Sequence, residues 1–199
     1  MPATTISSSQ PCLGHVNLML DTFLANININ DLRAIVRSSL ATCPSLTPSF
    51  IDAAKRRLEQ KHPKTPSPVL EHLFVSLHTG DAMPGPALHD ELSAIRSLYG
   101  VGMGIAGLQC LTDIVKATVG LRWEADGEMV DVLAVIDADI TQAIQSAKEE
   151  LMGGGSRESA ITTATELKAA VKASRLDTEH WGGDFPFEKT ADSLDYWHL

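Results

Sequence analysis

The sequence is poor in almost everything that marks a dedicated chemistry. It has three cysteines, Cys12, Cys43 and Cys110, and no Cys-x-x-Cys pair. So odd and sparse a set excludes a disulfide framework, and the missing pair excludes the usual cysteine zinc site. Seven histidines are present, none in a His-Glu-x-x-His arrangement, so no metal is expected. There is no Gly-x-Ser-x-Gly elbow for a nucleophilic serine and no Asn-x-Ser/Thr acceptor. Met1 to Gln10 has neither a basic start nor an apolar core, so a secretory signal is not expected. His89-Asp90-Glu91-Leu92 spells an ER-retention signal, but it is internal and cannot serve as one. The uncharged stretch Ser97 to Thr112 is shorter than the roughly 20 residues that cross a bilayer, and no membrane span is expected. These absences together suggest a soluble protein of the cytoplasm or nucleus.

What the chain does have is acid. The formal net charge is −9, against an ordinary 44% of apolar residues. That apolar share excludes wholesale disorder, and 199 residues suffice for one domain with a real core. The charge is unevenly spread. Residues 30–65 hold Arg33, Arg37, Lys55, Arg56, Arg57, Lys61 and Lys64 against three acids, a local +4, which leaves −13 elsewhere. The basic block is a candidate interaction face. Two short helices around a turn at Cys43–Leu46 also outline a helix-turn-helix, but the rest of the chain repels a phosphate backbone. Nucleic acid is therefore not the expected partner.

Periodicity and punctuation predict an all-α fold. Residues 1–12 read as a disordered N-terminus and 13–176 as a single helical domain. A short helix over Val16–Leu24 is followed by one capped by Asn30, with Leu32, Ile35, Val36 and Leu40 inward. Thr47 and Pro48 open a third pattern that buries Phe50, Ile51, Ala54 and Leu58. Ser67–His78 predicts another helix, with Val69, Leu70, Leu73, Phe74 and Leu77 inside. No alternating strand stands out. Gly80 to Pro86 reads as a linker after an N-terminal group spanning 13–80.

Beyond the linker, Ala87 to Val119 predicts one long central helix, apolar on nearly every side near its glycines. At 100° per residue Leu88, Leu92, Ile95, Tyr99, Ala106 and Cys110 share one face. The next helix, from Asp126 or Gly127 to Met152, carries the stripe Met129, Leu133, Ile136, Ile140, Ile144, Ala147 and Leu151. The short connection predicts an antiparallel hairpin. Ser156 caps a last helix to Ser174, with Ile161, Ala164, Leu167 and Val171 inward. The tail, 177–199, is acidic and aromatic and is expected to be mostly irregular.

Few residues suggest a site. Gly102-Met103-Gly104-Ile105-Ala106-Gly107 fits Gly-x-Gly-x-x-Gly, but no strand precedes it, and a phosphate cradle needs a strand-to-helix turn. No cofactor is expected. His72, His78 and His89, with Glu71, Asp90 and Glu91, lie close in sequence and read as solvated helix-end residues. Asp113 and Asp137 fall at the inward edges of the two long helices, where two carboxylates could share a proton, with Lys116 and Arg122 as ion-pair partners. With Tyr99, Met103, Cys110 and Trp123 they would line a pocket between the helices.

In the tail, Trp181, Phe185, Phe187, Tyr196 and Leu199 are the candidate anchors. The ending Tyr196-Trp197-His198-Leu199, preceded by Asp192 and Asp195, resembles the LIR peptides of autophagy receptors over four residues. That resemblance implies strand addition to a partner's sheet edge. Docking of the aromatics on the chain's own bundle is the competing fate.

The sequence thus reads as a non-enzymatic interaction or regulatory module with a protein partner. It would act through the basic N-terminal face and the acidic aromatic tail. The alternatives are a small helical enzyme or ligand-binding bundle in small-molecule metabolism, and nucleic-acid binding by the N-terminal helices.

Overall fold

A computed structural model describes residues 18–61 and 72–198. Its described residues form eight α-helices and one two-stranded sheet, an all-α bundle in class. The helices are α1 (Leu18–Asn26), α2 (Ile29–Thr42), α3 (Thr47–Lys61), α4 (Leu88–Gly100), α5 (Gly104–Thr118), α6 (Glu128–Met152), α7 (Arg157–Trp181) and α8 (Glu188–Asp195). A single 3-10 turn, Pro44–Leu46, lies between α2 and α3. Strands β1 (Phe74–Ser76) and β2 (Ala82–Pro84) pair antiparallel, with Val75 opposite Met83. The chain divides into two compact units, Met1–Phe50 and Ile51–Leu199, the division falling within α3.

In the second unit α6 follows directly from its pattern. Met129, Leu133, Ile136, Ile140 and Ile144 recur every three or four residues, and all five are fully buried. Spacing of that kind makes one continuous apolar stripe on a helix. Helix α5 runs antiparallel to α6, since its first residues meet α6 near Ala147 and Glu150. Helix α7 runs along α5 in the same sense, from Gln109 against Thr163 to Gly120 against Asp177.

The stretch expected as one central helix is two. Helix α4 ends at Gly100, and α5 begins at Gly104. Between them Gly102 adopts φ +79°, a left-handed conformation that glycine enters without a Cβ clash. The break is held from α6. Ser146 Oγ donates to the Tyr99 carbonyl at 2.7 Å, and Glu150 accepts the Ile105 N–H at 2.9 Å. Both termini created by the break, which would otherwise leave backbone groups without partners, thus find them on one neighbouring helix. Gly104 is what allows the approach. A Cβ there would sit 2.1 Å from the Ala147 backbone nitrogen.

The break resets the helical phase. Leu88, Leu92 and Ile95 are buried on α4 as the spacing predicts; Leu98, outside that predicted face, is buried with them, and Tyr99 is half-buried. In α5 the buried face is Ile105, Leu108, Leu111, Thr112, Ile114 and Val115. Ala106, Cys110 and Asp113, placed inward by carrying 100° per residue across the glycines, are only half-buried.

Other expectations need smaller corrections. Asn28, not Asn30, caps α2, accepting the N–H groups of Asn30 and Asp31. Ser156 caps α7 as expected, but that helix continues to Trp181, and Ile161 faces outward. Phe74 and Leu77 lie in or beside a strand rather than a helix, and β2 occupies the expected linker. Residues 62–71, including Val69 and Leu70 of that expected helix, lie outside the described residues, as do residues 1–17. In α2 and α3 no residue is buried, so the stripes read as inward are at most half-covered.

Candidate functional site

Helix α3 orders its apolar and basic residues by spacing. Phe50, Ile51, Ala54 and Leu58 fall on one face. At 100° per residue Arg57 flanks that face on one side and Lys55 on the other, Lys61 continues it beyond Leu58, and Arg56 lies opposite. Phe50 is exposed, and Ile51, Ala54 and Leu58 are half-buried. Helix α2 repeats the arrangement with Leu32, Val36 and Leu40 half-buried and Arg33 and Arg37 exposed beside them. Arg56, Arg57 and Lys61 are exposed and Lys55 is half-buried; Lys64 lies outside the described residues. None of these six cations makes an ion pair with a described residue. Arg33 reaches only Asn30, at 3.4 Å.

The expected pocket does not assemble, because its residues have separate partners. Asp113 is half-exposed and bonds Lys116 at 3.1 Å, one turn away on the same helix. Asp137 is only 4% exposed, and its carboxylate is committed to α8. It accepts the Thr190 hydroxyl at 2.6 Å, the Thr190 N–H at 2.8 Å and the Lys189 N–H at 3.3 Å. The two carboxylates therefore do not share a proton. Arg122 pairs not with either of them but with Asp177, at 3.0 Å.

Tyr99 donates its hydroxyl to Asp139 at 2.8 Å, and Arg96 grips the same carboxylate through Nε at 3.1 Å and a second guanidinium nitrogen at 2.7 Å. Asp139 is buried, and nothing in its position marked it in the sequence as more than an exposed helix acid. Burial, then the bond to Asp139, pushes the Tyr99 hydroxyl up to about 12. Burial, aided by Glu91 and Asp113, pushes the Cys110 thiol up to about 11, which leaves it a poor nucleophile at neutral pH. Met103 precedes α5 as its N-cap. Trp123 is buried edge-on against Trp181, with ring centroids 5.1 Å apart. The Arg122 guanidinium lies 5.3 Å from the Trp181 centroid, while the buried Trp181 indole N–H has no acceptor among the described residues.

The tail is part of the bundle. Phe187, Leu194 and Trp197 are buried in the main core, and α8 gives the expected irregular tail a helix. Phe185 is half-buried beneath the Arg175 guanidinium, 4.3 Å from its ring centroid, and edge-on to Phe187. Trp181 ends α7. Of the named anchors only Tyr196, 79% exposed, stands outside; Leu199 lies outside the described residues. Strand addition by the last four residues would need Trp197 to leave the core.

The described residues contain no group of three His, Cys, Asp or Glu side chains able to hold a metal. None of their helices is long and apolar enough to cross a membrane. No known family, no curated protein and no solved structure matches this chain.

Proposed function

We propose that the protein is a non-enzymatic interaction module that works through the basic and apolar faces of its N-terminal helices, α2 and α3 each taken by itself. The observation that carries this is the state of α2 and α3. Their apolar stripes hold no buried residue, and six cations around them have no acidic partner among the described residues. Exposed apolar surface rimmed by charge is the usual mark of a protein contact. The acidic aromatic tail takes a structural part in this reading, since its large side chains are used inside the bundle. The acids expected in a pocket are likewise occupied, which favours binding over catalysis.

The test is capture from an extract of the source cells by the full chain and by the double variant Arg57→Glu/Lys61→Glu, with quantitative mass spectrometry of what is retained. Loss of a retained protein in the variant, with an unchanged helical circular dichroism spectrum, is the expected result. The same proteins retained at the same level by both would overturn the reading.

A further inference from the structure

We infer that helix α3, through the basic face it presents from Ile51 onward, docks on the outer face of α6 in a second copy of this chain, so that two copies close into a two-fold dimer. This rests on the interaction reading above and names its partner. Helices α2 and α3 carry six cations and three acids, a net +3, so the remainder of the chain carries −12. The chain therefore contains both halves of a complementary pair.

Helix α6 offers the matching face. Asp131, Ala134, Val135, Ala138, Gln142 and Glu149 are all exposed, and their spacing places them on one side of the helix. The first half of that side is small and apolar, with Val135 at 43% exposure, the second half carries Gln142 and Gln145, and an acid stands at each end, Glu149 accepting the Gln145 amide at 3.0 Å. A short apolar stretch between two carboxylates suits an apolar stripe with Arg57 and Lys55 at its sides and Lys61 at its end. Contact of this kind excludes water at the centre and pairs charges at the rim.

Two different patches that meet across copies form either an open chain or a closed pair. A two-fold axis closes the pair, because each copy then gives one basic face and receives one on its own α6, making the contact twice. An anionic membrane is the less favoured occupant, since it would engage the cations alone, whereas a second copy engages the α6 acids as well.

The test is sedimentation of the purified full chain at low and high salt, with two charge-reversed variants. Variant one is Arg57→Glu/Lys61→Glu and variant two is Asp131→Lys/Glu149→Lys; all four positions are exposed. The native chain is expected to be dimeric at low salt and to dissociate as screening rises. Each variant alone brings like charges together and should weaken association by at least about tenfold, the effect of ~1.4 kcal/mol. An equimolar mixture of the two restores opposite charges at both contacts and should dimerise again.

A native chain that is monomeric at every concentration overturns the inference, as does open-ended assembly or a mixture that fails to recover. If that monomer still captures a different protein through Arg57 and Lys61, the interaction reading stands and only the second copy falls. If it captures none, both fall. Binding to vesicles containing anionic lipid that is lost in variant one assigns the face to a membrane instead.

Discussion

Asp137, on α6, caps the N-terminus of α8 through Thr190, accepting both its N–H at 2.8 Å and its hydroxyl at 2.6 Å. Phe187, the residue at the cap position itself, offers no side-chain acceptor. A helix of eight residues is too short to persist on its own, so its order depends on this clasp and on the burial of Phe187, Leu194 and Trp197. The same device recurs twice. Glu150 receives the first turn of α5, and Asp177 receives the Gly120 N–H and Arg122 where the chain turns out of α5. Three acids of an acidic chain thus hold its turns and helix starts from neighbouring helices.

Replacing Asp137 with Ala leaves the Thr190 hydroxyl and two backbone N–H groups without their acceptor. The expected loss is about 1–3 kcal/mol, and Tm falls by several degrees in a domain of this size. Thr190→Val removes only the hydroxyl bond and should lose about 1 kcal/mol. Thermal denaturation gives the magnitudes. Amide exchange should show residues 188–195 opening first in Asp137→Ala. Uniform protection with an unchanged Tm would show that the cap does not hold α8.

Gly104 and Gly100 make opposite predictions four residues apart. A Cβ at 104 meets the α6 backbone at 2.1 Å, and backbone cannot swing aside, so Gly104→Ala must part the two helices. The expected loss is about 3 kcal/mol or more. A Cβ at 100 meets nothing within 4 Å, and its φ is not left-handed. Gly100→Ala should be neutral or stabilise by up to about 1 kcal/mol through the unfolded chain. Denaturant midpoints of the two variants measure both. Equal effects would contradict the close α5–α6 approach.

Tyr99 gives the fold an alkaline limit. Its folded value is raised, so its contribution is fully present below the ordinary tyrosine value near 10 and is lost as pH rises from there through about 12. The native protein should lose stability across that window, and Tyr99→Phe should flatten this part of the profile. At neutral pH the same variant forgoes a bond to a carboxylate, worth about 1.5–3 kcal/mol. Urea midpoints between pH 8 and 12 compare the two. Parallel profiles would mean that Tyr99 does not titrate as placed.

The sequence by itself determined the helical class, the buried stripe of α6 and the Ser156 cap. Each depends on residues near one another in the chain, through 3.6-residue periodicity or a side chain reaching a local N–H. The position of Gly102 was visible, but not whether the helix would continue through it. That was decided by α6, where Ser146 and Glu150 wait for the two broken ends and Ala147 admits only a glycine. Once the break existed, the phase of α5 changed and Asp113 turned toward solvent and Lys116. The roles of Asp137, Asp139 and Asp177 were equally beyond sequence. A carboxylate's partner 40 or more residues away is set by which helices pack together, and no local pattern encodes that.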